Sequence, residues 1–376
     1  MNKNSGLYVH IPFCDHKCIY CDFYSIITKD NFDAFLDSLK KEILFYSTKY
    51  SAGRTFSSIF FGGGTPSLMS AEYIGEIISS LKENFSVNDD AEITLETNPG
   101  TVDKNKFKDF HKEGINRISI GIQSFDEQQL KFLTRIHNKE KAIATVYQAV
   151  EAGFENISID LIFNLPGQTK EKWTNNLNKA LALPVKHISA YSLILERGTI
   201  LNKMVLDGKV KMQDEDYDAD LYEITIDKLI ESGFHQYEVS NFTKPGFECV
   251  HNNAYWRYRD YLSFGTSAHS FVNGGRWWNY SSLKKYISEI ELNGHAKAGG
   301  EILSANDSLN EYVMLALRSS GLDTQEFRSL FGESWLKSKM NYFKELENYS
   351  FLKITDQKIS LTKKGYLICD EILEKL

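Results

Sequence analysis

A chain of 376 residues exceeds what one hydrophobic core usually serves, so one large domain with one or two smaller ones is expected. Its 42% hydrophobic and 25% charged content matches an ordinary soluble globular protein, and the 13% aromatic share suits either a large core or a site for a flat ligand. The formal net charge of −7, from 50 acidic against 43 basic residues, argues against a nucleic-acid-binding surface or any polyanionic partner. The opening stretch MNKNSGLYVHIPF has no basic region followed by an apolar run and a cleavage site, and no segment approaches the roughly 18 apolar residues of a membrane span, so a cytoplasmic protein is expected.

From residue 7 to about 195 short β-branched or aromatic runs alternate with amphipathic helical stretches. The predicted strands are Leu7 to Phe13, Ser58 to Gly62, Glu92 to Thr97, Arg117 to Ile122, Ile157 to Phe163 and His187 to Leu193. The helices between them include Phe32 to Tyr46, Ala71 to Asn84, Lys104 to Glu113 and Ala142 to Ala152. This is a βα alternation, which makes an open doubly wound sheet or a barrel, and both put ligand sites at the carboxyl ends of the strands. Cys14 follows the first strand, the run Gly62 to Thr65 ends the second, Glu96 ends the third, Gln123 the fourth, and Asp160 lies in the back half of the fifth. They fall on one rim.

Beyond residue 195 an acidic helix, Asp214 to Ser232, leads into an aromatic-rich loop region from Gln236 to Tyr280, expected to form a second module. The last seventy or so residues read as helices with one hairpin, FLKITDQKISLTKKG, of winged-helix character. With this acidity such a domain serves packing or covering rather than DNA reading. No internal repeat or low-complexity segment occurs.

Five cysteines is an odd number, and three of them, Cys14, Cys18 and Cys21, lie on one short loop, which suits a reduced metal site better than a disulfide framework. Three thiols reach three corners of a 4Fe-4S cube, and a purely structural or electron-transferring cluster normally takes four. The fourth iron is left open, by the logic that separates catalytic from structural metal sites, and the amino and carboxylate groups of S-adenosylmethionine fit it. Gly62, Gly63 and Gly64 allow a backbone to approach a ligand closely, or simply a tight turn after a strand. Glu96, Gln123, Arg135 and Asp160 are candidate partners for the ligand's polar groups, with satisfied core polar groups or surface ion pairs as the alternative.

The motifs YVHIPF-Cys14-x3-Cys18-x2-Cys21, FFGGGTPS, LETNP, SIGIQSF and IDLIFNLPGQ resemble the radical SAM family, in the branch that holds oxygen-independent coproporphyrinogen III dehydrogenase and the HemW-type heme chaperones. The resemblance spans nearly the whole chain. It implies that Cys14, Cys18 and Cys21 ligate the cluster, and that Tyr8, Gly63, Gly64, Thr65, Glu96, Gln123, Arg135 and Asp160 contact S-adenosylmethionine, with Ser192 joining them. The dehydrogenases carry a further cysteine two positions after the motif, where this chain has Phe23, and a long N-terminal arm, where only six residues precede the predicted first strand. Both departures favour the chaperones.

His251-Asn252-Asn253-Ala254-Tyr255-Trp256 matches the HNxxYW motif of those chaperones. A neutral imidazole is a common axial ligand of heme iron, and Tyr255 and Trp256 are able to pack on a porphyrin. His269 is the competing imidazole; Cys249 and Cys369 read as buried thiols. The expected architecture is α/β: a partial (β/α)6 radical SAM barrel over residues 1–200, an α/β elaboration carrying the heme motif over 201–300, and a C-terminal helical, winged-helix-like domain over 301–376. The expected function is heme binding and delivery to acceptor hemoproteins, including transient contact with membrane-bound ones. The alternatives are oxidative decarboxylation of coproporphyrinogen III and radical chemistry on another substrate.

Overall fold

The computed structural model describes residues 3–28 and 30–376. Six strands and the helices between them alternate through the first half: β1 (Lys3–Ile11), α1 (Phe32–Tyr50), β2 (Thr55–Gly63), α2 (Ala71–Asn84), β3 (Val87–Thr97), α3 (Lys104–Lys112), β4 (Arg117–Gln123), α4 (Glu127–Phe132), α5 (Lys139–Glu151), β5 (Asn156–Phe163), α6 (Lys170–Leu181) and β6 (His187–Ser192). β1 to β6 pair in parallel in sequence order. Such strands are covered on both faces, which is why β4 and β5 are buried along nearly their whole length. The starts of α2, α3, α5 and α6 are each marked by a residue whose side chain accepts a backbone N–H: Ser70, Asp103, Asn138 and Thr169. The fold is the expected α/β class, with α1 running four residues further than its apolar pattern predicts. Tyr46 and Tyr50 in that last turn stack on Trp277, at 5.5 and 5.4 Å between ring centroids, a contact invisible to local periodicity.

The stretch read as an aromatic-rich loop is largely regular structure. After α7 (Ile200–Leu206) and α8 (Glu215–Glu231) come β7 (His235–Gln236), β8 (Asn241–Thr243), α9 (Val250–Trp256), β9 (Tyr261–Gly265), β10 (His269–Val272), β11 (Gly275–Asn279), α10 (Leu283–Asn293) and β12 (Lys297–Ile302). All six of these strands extend the first sheet, whose order is β12-β11-β10-β9-β1-β2-β3-β4-β5-β6-β8-β7. β9 pairs with β1 in parallel, Gly6 to His10 against Tyr261 to Gly265. One apolar core runs through both stretches, from Leu7 and Val9 to Leu262, Phe264, Trp277 and Tyr286.

A buried carboxylate fastens this extension. Glu42 on α1 accepts hydrogen bonds from the Gly265 N–H (2.9 Å), the Asn279 amide (2.6 Å) and the Tyr286 hydroxyl (2.7 Å). Burial pushes its carboxyl up to about 7, while those three donors favour the charged form and offset part of the cost.

The C-terminal part holds its own core, with Tyr312, Leu317, Phe327, Phe343 and Ile359 at its centre. It comprises α11 (Ala305–Leu317), β13 (Leu322–Asp323), α12 (Thr324–Phe331), α13 (Ser334–Asn348), β14 (Leu352–Ile354), β15 (Lys358–Leu361), α14 (Lys363–Leu367) and α15 (Cys369–Glu374). The hairpin read from sequence is β14 and β15, with β13 added antiparallel on the far side of β15. Among the described residues no helix is long and apolar enough to cross a membrane.

Candidate cluster and cofactor site

The loop after β1 is pinched at its neck by two backbone hydrogen bonds, Cys14 N–H to Ile26 O (2.9 Å) and Ile26 N–H to Pro12 O (2.8 Å). Within it a tight turn, closed by Cys21 N–H to Cys18 O, brings the second and third thiols round. Cys14, Cys18 and Cys21 are free, half-buried, and border one cavity of ≈ 440 Å³. The second wall is the glycine run. Gly64 N–H donates to Ile11 O (2.8 Å) and Thr65 N–H to Phe13 O (2.7 Å), so the two loops lie backbone to backbone. A Cβ at Gly64 would stand 2.5 Å from Phe13 O and 2.9 Å from Pro12 O, and Gly63 has φ 108° against the His10 ring; the glycines are required by close approach.

Glu96 from β3, Gln123 from β4, Asp160 from β5 and Ser192 from β6 line the same cavity, together with Gly63, Gly64, Thr65 and Arg135. Residues at the ends of β2 and β6 thus meet around one space, which requires the parallel strands to curl into a partial barrel. Arg135 is the organiser. Its guanidinium donates to Asn98 Oδ1 (2.5 Å), to Gly121 O (2.6 Å) and to the Cys18 sulfur (3.7 Å), while its buried Nε has no partner among the described residues. Gln123 holds φ 68°, a strained value for a non-glycine residue, at the point where β4 reaches the rim. Burial, with the neighbouring Asp160 adding to it, pushes Glu96 up to about 8. Asp160 is pushed up to about 6 by burial, eased by hydrogen bonds from Ser189 and Ser119 and by the Arg117 charge.

The donor set fits an iron-sulfur cube. Three free thiols edge one pocket, and Arg135 lies beside one sulfur to offset thiolate charge. Among the described residues no three His, Cys, Asp or Glu side chains converge on a single ion. A cube presents its irons at separate corners, so its thiolates need not converge.

Tyr8 and His251 take positions apart from the other expected site residues. Tyr8 borders a neighbouring cavity rather than the cysteine-lined one, because β1 turns its ring toward His10 and Phe60. His251, expected to face heme, is enclosed at 1% exposure. Its Nδ1 shares a hydrogen bond with Ser58 Oγ (2.9 Å) and its Nε2 with Tyr255 OH (2.8 Å), and its ring stacks on Phe60 at 5.0 Å. Burial, helped by the Arg117 charge, lowers its pKa to about 3. Both imidazole nitrogens are therefore engaged. Tyr255 edges the neighbouring cavity, while Trp256 lies at a third one beside Arg257 and Tyr312, so the structure does not bring the three heme-motif residues to one surface. Cys249 is buried beside Glu92, its thiol pushed up to about 12, first by burial, and Cys369 sits in the C-terminal core.

Asn98, Tyr20 and Tyr191 also line the cysteine cavity and were not singled out from sequence. Asn98 follows Glu96 by two in LETNP, the period that returns a strand side chain to the same face.

Comparison with known proteins gives two family models: the radical SAM superfamily matches residues 8–180, and the HemN C-terminal domain matches residues 303–368. The chain is 36% identical to heme chaperone HemW of Lactococcus lactis subsp. lactis, covering 100% of this chain and 98% of that protein. It is 41% identical to heme chaperone HemW of Haemophilus influenzae, covering 98% and 97%. Among solved structures it resembles coproporphyrinogen III oxidase (HemN) of Escherichia coli, described as a radical SAM enzyme, with a TM-score of 0.83 at 26% identity over 100% of this chain and 90% of that one.

Proposed function

The chain belongs to the radical SAM superfamily and, within it, to the HemW family, and on that premise we propose that it binds heme and passes it to acceptor hemoproteins. Cys14, Cys18 and Cys21 would hold a 4Fe-4S cluster and leave one iron open to S-adenosylmethionine. When bound, the cluster supplies an electron to the sulfonium of S-adenosylmethionine. Gly63, Gly64 and Thr65 give a side-chain-poor wall for that ligand, and Glu96, Gln123, Arg135, Asp160 and Ser192 supply its polar contacts. Arg135 offsets the charge of the thiolate set through Cys18. Burial pushes the Glu96 carboxyl up to about 8 and Asp160 up to about 6, and the positive charge of the sulfonium favours the carboxylate form of both.

The observation that supports the cofactor reading is the convergence of three thiols and these rim groups, from β1 through β6, on one cavity. The heme reading rests on the full-length relatives named above. Its test is anaerobic reconstitution with iron and sulfide, titration with ferric heme, and transfer to an apo-hemoprotein. Near-stoichiometric cluster, a saturable Soret change and loss of heme to the acceptor are expected; absence of any saturable heme binding sinks the chaperone reading.

The likeness to HemN favours one second reading, oxidative decarboxylation of a propionate side chain of coproporphyrinogen III. Anaerobic turnover with that porphyrinogen decides it, and release of carbon dioxide would move the assignment.

A further inference from the structure

A second cavity, also ≈ 440 Å³, opens beside the cysteine-lined one and shares Asp22 and Phe23 with it as a wall. Its volume lies within the roughly 300–1,000 Å³ typical of cofactor-sized ligands. Its walls are unusually aromatic: Tyr8, Tyr255, Tyr258, Tyr261 and Phe271 surround the space, with His269 among them. Burial pushes the phenols of Tyr8 and Tyr255 well above their usual value, so these side chains meet a ligand as neutral rings and not as phenolates. Such a lining suits a flat, largely apolar ring system.

Two histidines border this cavity and a third lies just behind it, and they differ in what remains free. His10 uses Nε2 on the Tyr24 carbonyl (2.9 Å) and Nδ1 on the Tyr8 hydroxyl (3.3 Å). His251, behind Tyr255, has both nitrogens engaged as described. His269, at the start of β10, is exposed, stacks on Trp278 at 5.7 Å, and among the described residues makes no hydrogen bond through either ring nitrogen. Burial of part of its ring and the nearby Arg276 charge lower its pKa, which keeps the imidazole neutral and able to coordinate.

Resting on the heme reading above, we propose that heme seats in this tyrosine-lined cavity with His269 as its axial iron ligand, and that His251 supports the wall through Tyr255 without touching iron. Arg276, at the same wall, is paired with Glu301 (3.3 Å) and Glu311, so its charge is already offset. A propionate gains little from it, which suits a cargo that must leave. The shared Asp22–Phe23 wall sets the cargo next to the cysteine loop.

The test uses the full chain, anaerobically reconstituted, and titrates ferric heme into the parent, His269→Ala and His251→Phe. The last keeps a ring in place and removes both nitrogens. If the assignment holds, His269→Ala weakens heme binding by about ten-fold or more, roughly 1.4 kcal/mol, and loses the histidine-ligated Soret and visible bands, with added imidazole restoring them. Folded His251→Phe keeps those bands. A His269→Ala protein with unchanged spectrum and affinity overturns the site while leaving the heme reading intact. A parent protein that binds no heme overturns the heme reading itself, and this proposal with it. If His251→Phe fails to fold, the His269→Ala titration and its imidazole rescue decide alone.

Discussion

Replacing His251 by alanine should destabilise the protein far more than a surface histidine would. The ring is enclosed between Phe60 and Tyr8, at 5.0 and 6.2 Å between centroids, with the backbone of Gly6 close behind it. Removing a buried ring of this kind costs about 3–5 kcal/mol in aromatic series, through lost burial and the cavity left behind. Its two hydrogen-bond partners add to this. Ser58 Oγ is fully buried and would be left without its partner, a loss of about 1–3 kcal/mol, and Tyr255 OH loses its bond to the ring as well. Partial collapse of neighbouring side chains offsets some of the sum, so a net loss of about 3–5 kcal/mol is the expectation. Urea unfolding of the cofactor-free protein, followed by both tryptophan fluorescence and circular dichroism, measures it. A loss below about 1 kcal/mol, with an unchanged slope, would refute the enclosed, doubly bonded imidazole. The outcome also bears on heme: a His251→Ala protein that loses heme together with stability has lost a wall of the cavity, which is a different event from losing an iron ligand.

Four further outcomes are expected. Alanine at Cys14, Cys18 or Cys21 should abolish a stable cluster by iron and sulfide content, and alanine at Cys249 or Cys369 should leave it intact; a mutant of the first three with full iron would show the ligand set to be wrong. Gln123→Ala and Asp160→Ala should keep the cluster and weaken S-adenosylmethionine binding by about 0.5–3 kcal/mol each in calorimetry. Gly64→Ala should weaken that binding too, since backbone oxygens at 2.5 and 2.9 Å from the new Cβ leave it nowhere to go; wild-type affinity would contradict the packing of the two loops. In cofactor-free protein Glu96 has a folded pKa of about 8 against an ordinary 4.5, so the folded state retains a proton that the unfolded state releases, and stability falls as pH rises through that window. Buried His251 and His10, lowered to about 3 and about 4, act oppositely and only below about 6.5. Between about pH 6.5 and 8 the carboxyl effect therefore dominates, and Glu96→Gln should flatten the decline in melting temperature there. A slope identical to the parent's would remove Glu96 from this role.

The rim was legible in sequence because parallel strands announce themselves twice: as short β-branched or aromatic runs, and by polar residues at or toward the carboxyl end of each run. Glu96, Gln123 and Asp160 were found that way, and Thr65 follows from the glycine run beside it. β9 left no such sign. YLSFG is short, is buried along most of its length, and is set in the sheet by pairing with β1, some 250 residues earlier in the chain. Hence the surrounding stretch read as loop. The heme motif was legible as a motif but not as a surface. Once α9 is a helix, His251 and Tyr255 share a face four residues apart and Trp256 turns to another. Which face turns inward depends on Ser58 and Phe60 of β2, a tertiary fact that no local pattern carries.

The parallel pairing of β9 with β1 has a consequence for anyone who would dissect the chain. The superfamily match ends at residue 180, which invites truncation near there. A fragment cut at that point would strip β1 of one of its two neighbours and leave the backbone of Gly6 to His10 as an open sheet edge. It would also unpair the buried Glu42 carboxylate, whose three donors all come from residues 265–286. An open, apolar parallel edge is a template for intermolecular pairing, so such a fragment should aggregate rather than stand as an independent barrel. The strand that leads into the cysteine loop is an interior strand only in the longer chain, and the smallest unit able to present that loop in its native setting reaches at least to the end of α10.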